Sequence, residues 1–152
     1  TYPIKIKPLK IANYEGYWYL IALDINDKDR LKKYYLKNIF NIKTTQSQFE
    51  VDSKLEELLN NSISIWFQQN TEPFEVKINV SNVISKYIQR KTIAPTQVIE
   101  SVYEDGSVDI IVKVTHEMEI IPIIKYWLPY MKVLEPKWID TKICDDLKVY
   151  LK

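Results

Sequence analysis

The chain has 152 residues, 46% of them hydrophobic and 27% charged, with a formal net charge of +1. This length allows one medium domain or two small ones, and the composition is typical of a soluble globular protein. No apolar run approaches the roughly 20 residues that a membrane helix needs, and a single cysteine excludes an internal disulfide, so we expect a cytoplasmic protein.

Charge is unevenly distributed along the chain. Residues 1–47 carry nine Lys or Arg against four Asp or Glu, whereas residues 48–152 carry 12 basic and 16 acidic residues. A basic first third followed by a mildly acidic remainder indicates two units with different partners. An ordinary solvated lysine surface is the alternative interpretation.

The densest pattern in the first third is the aromatic stretch 14–23. It predicts a hairpin with a strand over 4–12, a turn over 13–16 and a strand over 17–24, with Pro8 at an edge or bulge. Alternation directs Trp18 and Leu20 into a core and leaves Tyr17 and Tyr19 on an open face, where we expect function. The alternative is that all these aromatics belong to a core or a dimer interface.

The lysine- and tyrosine-rich segment 30–39 predicts a third strand, with a short fourth strand at 39–43; a helix over 29–35 is the competing interpretation. Alternation separates Lys32 from Lys33 and Tyr35. Short antiparallel strands joined by polar turns predict a small β-barrel. A helix capped by Asp52 follows, with Leu55, Leu58 and Leu59 on one face, and residues 68–73 read as a linker.

The second half alternates between strand and helix patterns. Strands are predicted at 74–80, 96–103, 108–115 and 130–135, and helices at 82–90, 117–128 and 136–151, with an Asp-Gly turn at 104–107. The order β-α-β-β-α-β-α predicts a ferredoxin-like domain with an additional C-terminal helix. The fold class is therefore α+β.

Catalytic chemistry has little support in the sequence. His116 is the single histidine, Cys144 lies in a helix pattern, and two glycines cannot build a phosphate-binding loop. No Cys/His cluster has the spacing of a metal site. We predict no enzyme activity, no metal and no cofactor.

The first half resembles a WYL domain, which is named for the triplet Trp18-Tyr19-Leu20. The resemblance rests on Pro8 before the turn, Gly16, the triplet and the aromatic-x-Leu-x-x-Ile pattern within residues 33–39. The second half is similar to the WCX extension that often follows a WYL domain, through its Asp105-Gly106 hairpin, Trp127-Leu128-Pro129 and the stretch 133–136 that leads into the last helix.

This resemblance implies a domain organisation. Residues 1–67 would be an Sm-like, SH3-type β-barrel with a trailing helix and a missing first strand, 68–73 a linker, and 74–152 a ferredoxin-like WCX domain. Family members are mostly bacterial transcription regulators with an N-terminal winged helix-turn-helix. The resemblance therefore implies a ligand-sensing, dimerising portion of such a regulator, with duplex DNA bound only through the missing helix-turn-helix and no membrane partner.

The WYL domain is the sensor of the family, and some members bind single-stranded DNA or another nucleic-acid-derived ligand there. Flat rings suit bases and cations suit phosphates. Where the family commonly has arginines, this chain has lysines and Asn38, and lysine lacks the bidentate fork of arginine. The candidate ligand-binding residues are Lys10, Tyr17, Tyr19, Arg30, Lys32, Lys33, Tyr35, Lys37 and Asn38. The alternative is a protein-protein interaction or dimerisation module with no small ligand.

Overall fold

A computed structural model describes residues 2–152 as two compact units, one ending at Leu59 and the other spanning Asn60–Lys152. The first unit contains three strands and the start of a helix: β1 Ile6–Tyr14, β2 Tyr17–Asp24, β3 Arg30–Tyr35 and α1 Ser53–Asn61. The second contains β4 Phe74–Val80, α2 Asn82–Arg90, β5 Val98–Val102, β6 Val108–Val114, α3 Ile121–Tyr126, β7 Met131–Glu135 and α4 Lys137–Tyr150. Both units mix helix and sheet, which confirms the α+β class.

The aromatic hairpin forms as predicted, with a tighter turn. β1 and β2 pair antiparallel, and Tyr14 lies opposite Tyr17, so that Glu15 and Gly16 alone make the turn. Both turn residues have positive φ, 53° and 86°, as a two-residue hairpin turn requires. The Asn13 side chain accepts a hydrogen bond from Gly16 N at 3.1 Å. The register shifts between Pro8 and Lys10, on an edge strand, which confirms the prediction for Pro8.

The predicted barrel is not confirmed, because the first sheet is open over the described residues. Its order is β1-β2-β3, and residues 39–43 form no strand. Instead, the chain leaves β3 through a 3-10 turn at Leu36–Asn38, closed by Ile39 N donating to Leu36 O at 3.1 Å. Phe40 and Ile42 are exposed after this turn, so these residues bury no apolar face that would hold a fourth strand.

The prediction that Trp18 enters a core is wrong, since its side chain is 52% exposed. β3 pairs with β2 only from Tyr19 to Asp24, so at Trp18 the sheet has narrowed to two strands. The centre of β2 is buried instead. Ile21 and Ala22 point to opposite faces and both are fully buried, so that both sides of the sheet are covered there.

The predicted helix α1 forms, with Leu55 and Leu59 buried at i, i+4 spacing and Leu58 half-buried. Its C-terminal end receives the Lys10 side chain, whose Nζ donates to Leu59 O at 3.0 Å. A lysine at this end complements the exposed carbonyls and the helix dipole. Within the first unit, Lys10 therefore ties β1 to α1.

The second unit has the predicted element order. Its sheet runs β5-β6-β4-β7, with every neighbouring pair antiparallel, which is the connectivity of a split β-α-β-β-α-β unit. One apolar core forms from alternate residues of the strands and from helix residues spaced three or four apart. Its members include Val76, Ile78, Val80, Ile84, Ile88, Val108, Ile110, Val112, Ile121, Ile124, Met131, Val133, Ile139 and Ile143.

Local signals place the elements of this second unit. The Ser81 side chain caps α2 by accepting from Val83 N at 3.4 Å, and Gly106 turns the β5–β6 hairpin at a φ of 84°. The predicted helix over 117–128 is shorter than expected: a 3-10 turn at Glu117–Glu119 precedes α3, which has proline in its first turn. No helix among residues 2–152 has the length and apolar content to cross a membrane.

Candidate ligand-binding site

Four tyrosines gather on one face of the first sheet, at its hairpin end. Strand register places Tyr14 opposite Tyr17 and Tyr19 opposite Tyr35. The Tyr17 and Tyr35 rings meet edge-on with centroids 5.9 Å apart, Tyr19 and Tyr35 are 5.8 Å apart, and Tyr14 and Tyr19 are 6.4 Å apart. We call Tyr14, Tyr17, Tyr19 and Tyr35 the tyrosine face.

The tyrosine face is open at one end and packed at the other. Tyr17 is 55% exposed, whereas the other three rings are half-buried against each other. One edge-to-face contact and two tilted contacts between these rings hold them in place. The face therefore offers a preformed aromatic platform with at least one ring accessible to a planar ligand.

Two of the predicted cations share this face. Lys33 of β3 and Lys10 of β1 both lie opposite Ile21, one on either side of β2. Lys33 is half-buried, and the Lys10 amine is engaged by the α1 carbonyl of Leu59. These two positions place positive charge beside the tyrosines.

Lys37 and Asn38 follow the last tyrosine of the face in the chain. Both are exposed in the 3-10 turn Leu36–Asn38, directly after Tyr35. Among the described residues, Lys37 forms no ion pair, so its ammonium group is solvated. This turn adds an exposed cation and an exposed amide at the end of β3, and the described residues form no pocket around them.

Arg30 and Lys32 point to the opposite face, away from the tyrosines. Lys32 Nζ contacts Asp24 Oδ2 at 2.7 Å and Asp27 Oδ2 at 2.9 Å, and Arg30 lies 4.0 Å from Asp27. The hydrogen bonds that Lys32 donates to Asp24 and Asp27 raise the pKa of Lys32 well above its ordinary value. These two of the nine predicted residues therefore lie away from the tyrosine face.

Asp24 organises that opposite face and was not singled out in the sequence. It is 6% exposed and accepts hydrogen bonds from Lys32 Nζ, from Asn26 N at 3.0 Å and from Tyr34 Oη at 3.3 Å. The Lys32 ammonium group holds the pKa of this carboxyl below its usual value, while burial raises the pKa of Tyr34. Its signal in the sequence was the Asp-x-Asn turn 24–26.

Tyr14 was also missed as a member of the tyrosine face. A two-residue turn at Glu15 and Gly16 necessarily pairs Tyr14 with Tyr17. The signal is the turn length: the sequence predicts a four-residue turn over 13–16, whereas the structure has a two-residue turn. The correct length adds a fourth ring to the site.

His116, the single histidine, caps a turn and stacks on a tryptophan. His116 Nδ1 accepts from Met118 N at 3.1 Å, and the ring stacks on Trp66 with centroids 6.4 Å apart. Cys144 is exposed in α4. Within residues 2–152, no group of three or more His, Cys, Asp or Glu side chains is arranged to hold a metal ion.

The model of the WCX domain matches residues 72–151, the stretch that contains β4 to α4. The chain belongs to the WCX domain family. This match confirms the WCX part of the resemblance, which rests on the hairpin at Asp105-Gly106 and the Trp-Leu-Pro segment. The first unit, which carries the tyrosine face, lies outside the matched residues.

No curated protein matches this WCX-domain chain. Among solved structures, it is similar to a CRISPR Cas-related protein, with a TM-score of 0.55 and 10% identity over 97% of this chain and 43% of that one. It also aligns with proteasome accessory factor B/C (PafBC) of Arthrobacter aurescens, with a TM-score of 0.37 and 13% identity over 92% of this chain and 21% of that one. The first likeness concerns the fold alone, and the chain spans less than half the length of either protein.

Proposed function

We propose that this chain is the regulatory portion of a bacterial transcription regulator, in which the tyrosine face binds a nucleic-acid-derived or other anionic ligand. The observation that carries the proposal is the cluster of four tyrosines, with Lys10 and Lys33 on the same face of the sheet. The protein acts as a sensor and not as an enzyme. Membership of the WCX family and the Trp18-Tyr19-Leu20 pattern in β2 support this assignment.

The domain organisation follows from the same proposal. Residues 1–67 are a WYL domain with an Sm-like fold. Residues 68–73 are the linker, and residues 74–152 are the WCX domain. The regulator works as a cytoplasmic homodimer, and duplex DNA is bound by a helix-turn-helix outside this chain. Ligand binding changes the geometry of the dimer and so its affinity for an operator.

The chemistry of the tyrosine face fits a short single strand or a nucleotide. An accessible ring can stack on any base, which is worth about 1–3 kcal/mol per base by alanine substitution. Lysines neutralise phosphates without the planar geometry of arginine, so they contribute affinity and salt dependence more than base discrimination. We therefore expect binding of micromolar strength that is tolerant of base sequence and weakens as salt rises.

A titration with fluorescent single-stranded DNA, single-stranded RNA and cyclic dinucleotides at low salt tests this proposal. We expect Tyr17→Ala to weaken binding about tenfold, in line with the loss of one stacking ring, and Tyr17→Phe to retain it. Tyr126→Ala removes a tyrosine that is 79% exposed in the WCX domain and serves as the matched control. Flat titrations for all three ligand classes, or equal losses in the Tyr17 and Tyr126 alanine variants, would contradict the proposal.

The second candidate is an interaction module in which the same face contacts protein. The exposure of Tyr17, together with that of Trp18 on the other face of β2, favours it. Sedimentation of Tyr19→Ala distinguishes the two functions. Loss of the dimer with unchanged oligonucleotide binding supports the interaction module, and the reverse result supports the sensor.

A further inference from the structure

Lys10 lies on the tyrosine face and at the same time contacts a helix of the first unit. In β1 it is opposite Ile21, and Ala12, the next residue of β1 on this face, is opposite Tyr19. Because Ala12 is small, no bulky side chain of β1 lies between Lys10 and the rings. Lys10 is also exposed. An anionic group of a ligand that stacks on the tyrosines can therefore reach its ammonium group.

The same ammonium group caps the C-terminal end of α1. Lys10 Nζ donates to Leu59 O at 3.0 Å. The last four carbonyls of a helix have no partner within the helix, and a cation there also offsets the negative end of the helix dipole. α1 has no basic residue in its own last turn. Because a helix of nine residues gains little stability from its own hydrogen bonds, its final turn is sensitive to the loss of this partner.

The segment that follows α1 is fixed within the second unit by two hydrogen bonds and one buried ring. Ile63 N donates to Glu119 Oε2 at 3.1 Å, and Gln68 N donates to Thr115 Oγ1 at 2.9 Å. Between these two contacts, the Phe67 ring is fully buried. Glu119 and Thr115 belong to the part of the chain that matches the WCX domain. This segment is therefore held to the WCX domain at both of its ends.

A single residue, Ser62, separates the end of α1 from the first of these hydrogen bonds. α1 ends at Asn61, and Ile63 already donates to Glu119. The boundary between the two units falls within the helix, after Leu59, so the last residues of α1 lead directly into the second unit. A connection this short has too few rotatable bonds to act as a flexible linker. A change in the last turn of α1 therefore reaches Ile63 and its hydrogen bond.

We propose that Lys10 is a releasable cap of α1 that passes ligand binding from the tyrosine face to the WCX domain. Without ligand, Lys10 holds the Leu59 carbonyl and orders the last turn of the helix. A ligand phosphate on the tyrosine face then takes over the ammonium group, and the last turn of α1 loosens together with the hydrogen bond from Ile63 to Glu119. This inference rests on the sensor of the proposed function and assigns how its bound state is transmitted.

Electrostatics sets the direction of this exchange. A hydrogen bond between an ammonium group and a phosphate is charge-assisted on both sides, so it is stronger than one from the same ammonium group to a neutral carbonyl. A lysine has three N–H donors and could contact both groups at once. A phosphate held there, however, is repelled by the negative end of the α1 dipole. Lys10 and the phosphate therefore move away from Leu59 O together.

Hydrogen exchange of the ligand-free chain tests the cap itself. Lys10→Met keeps the aliphatic part of the side chain and removes the ammonium group. We expect the amides of residues 61–64 to exchange at least about fivefold faster than in the wild type, because the helix end and the Ile63 hydrogen bond both lose order. Lys54→Met is the matched control: Lys54 is exposed near the start of α1 and forms no ion pair among the described residues, so these amides should be unchanged. Far-UV circular dichroism establishes that each variant is folded.

Addition of a saturating single-stranded thymidine oligonucleotide tests the release. The wild type should then show the faster exchange of residues 61–64 that Lys10→Met shows without ligand, and Lys10→Met should show no further increase. Unchanged exchange in ligand-free Lys10→Met, equal acceleration in Lys54→Met, or a bound wild type whose residues 61–64 exchange no faster would each overturn the proposal. A flat fluorescence titration contradicts the sensor instead, and the ligand-free comparison of Lys10→Met with Lys54→Met still decides whether Lys10 caps α1.

Discussion

Glu119 is a buried carboxylate that is held entirely by neutral donors. It is 2% exposed, and its Oε1 accepts from Thr115 N and Thr115 Oγ1, both at 2.9 Å, and from His116 N at 3.3 Å. Its Oε2 accepts from Ile63 N at 3.1 Å. One side chain thus connects the end of β6 to the segment that enters the second unit, in a capping box with His116.

Glu119→Gln tests this role. The amide can accept from only one side, so its NH₂ group faces either Ile63 N–H or the donors at Thr115 and His116. We expect a loss of about 2 kcal/mol in the free energy of unfolding, because a buried donor is left unsatisfied. Urea denaturation measures it. The control is Glu117→Gln, two residues before Glu119, which removes the exposed salt bridge between Glu117 and Lys142. It should change the free energy of unfolding by less than about 1 kcal/mol. Equal effects would show that the buried position has no special role.

At the scale of elements, Asp24 governs the connection between β2 and β3. It ends β2, caps the 3-10 turn Ile25–Asp27 through Asn26 N, and binds Lys32 in β3. The connection thus depends on an ionised carboxylate. The sequence showed a polar turn here, but the pairing of Asp24 with a lysine eight residues later follows from strand register.

The lowered pKa of Asp24 predicts how the first unit responds to acid. A carboxyl whose pKa is lower in the folded than in the unfolded chain stabilises the fold above its unfolded pKa, near 4, and this stabilisation is lost as pH falls through the folded pKa. We therefore expect the unfolding free energy to decline below about pH 4. Asp24→Asn should be less stable at neutral pH and show a shallower decline.

Urea denaturation between pH 7 and pH 2 measures this dependence. Glu57→Gln is the control, since Glu57 is exposed in α1 and forms no ion pair among the described residues. Its pH profile should follow that of the wild type. An Asp24→Asn profile as steep as the wild type would show that Asp24 does not govern the acid response.

At the scale of the molecule, the second unit closes its own core. The buried cluster draws on β4, β6, β7 and the helices α2 to α4, with partly buried partners from Ile63 to Leu147. All of these residues lie within Asn60–Lys152. A core completed by its own elements predicts that this unit folds without the first one.

Ile110→Ala measures this independence. Ile110 is fully buried at the centre of β6, so the substitution should lower the unfolding free energy by about 3 kcal/mol. The loss should be the same in the whole chain and in a fragment of residues 60–152. Ile42→Ala, at a position 79% exposed in the first unit, should change stability by less than about 0.5 kcal/mol. A fragment that is unfolded, or one in which the Ile110→Ala loss differs by more than about 1 kcal/mol, would contradict independent folding.

Local patterns in the sequence determined most of the elements. β4 and α2 have the predicted bounds, because a period of two, a period of 3.6 and a serine cap are properties of neighbouring residues. The α+β class and the order of elements in the second unit follow from the same signals. The faces of β3 were also predictable, since alternation separates Lys32 from Lys33 and Tyr35 wherever the strand lies.

Only the tertiary structure decided which of those faces are covered and which charges are already engaged. Trp18 is exposed because β3 ends one pair before it, Lys32 is bound by Asp24 and Asp27, and the sheet stays open after Leu36–Asn38. Glu119 Oε2 has a partner because Ile63, distant in sequence, donates its backbone N–H to it. Periodicity fixes the direction of a side chain relative to its own strand. Burial and pairing depend on partners far along the chain, and those partners set what each side chain can bind.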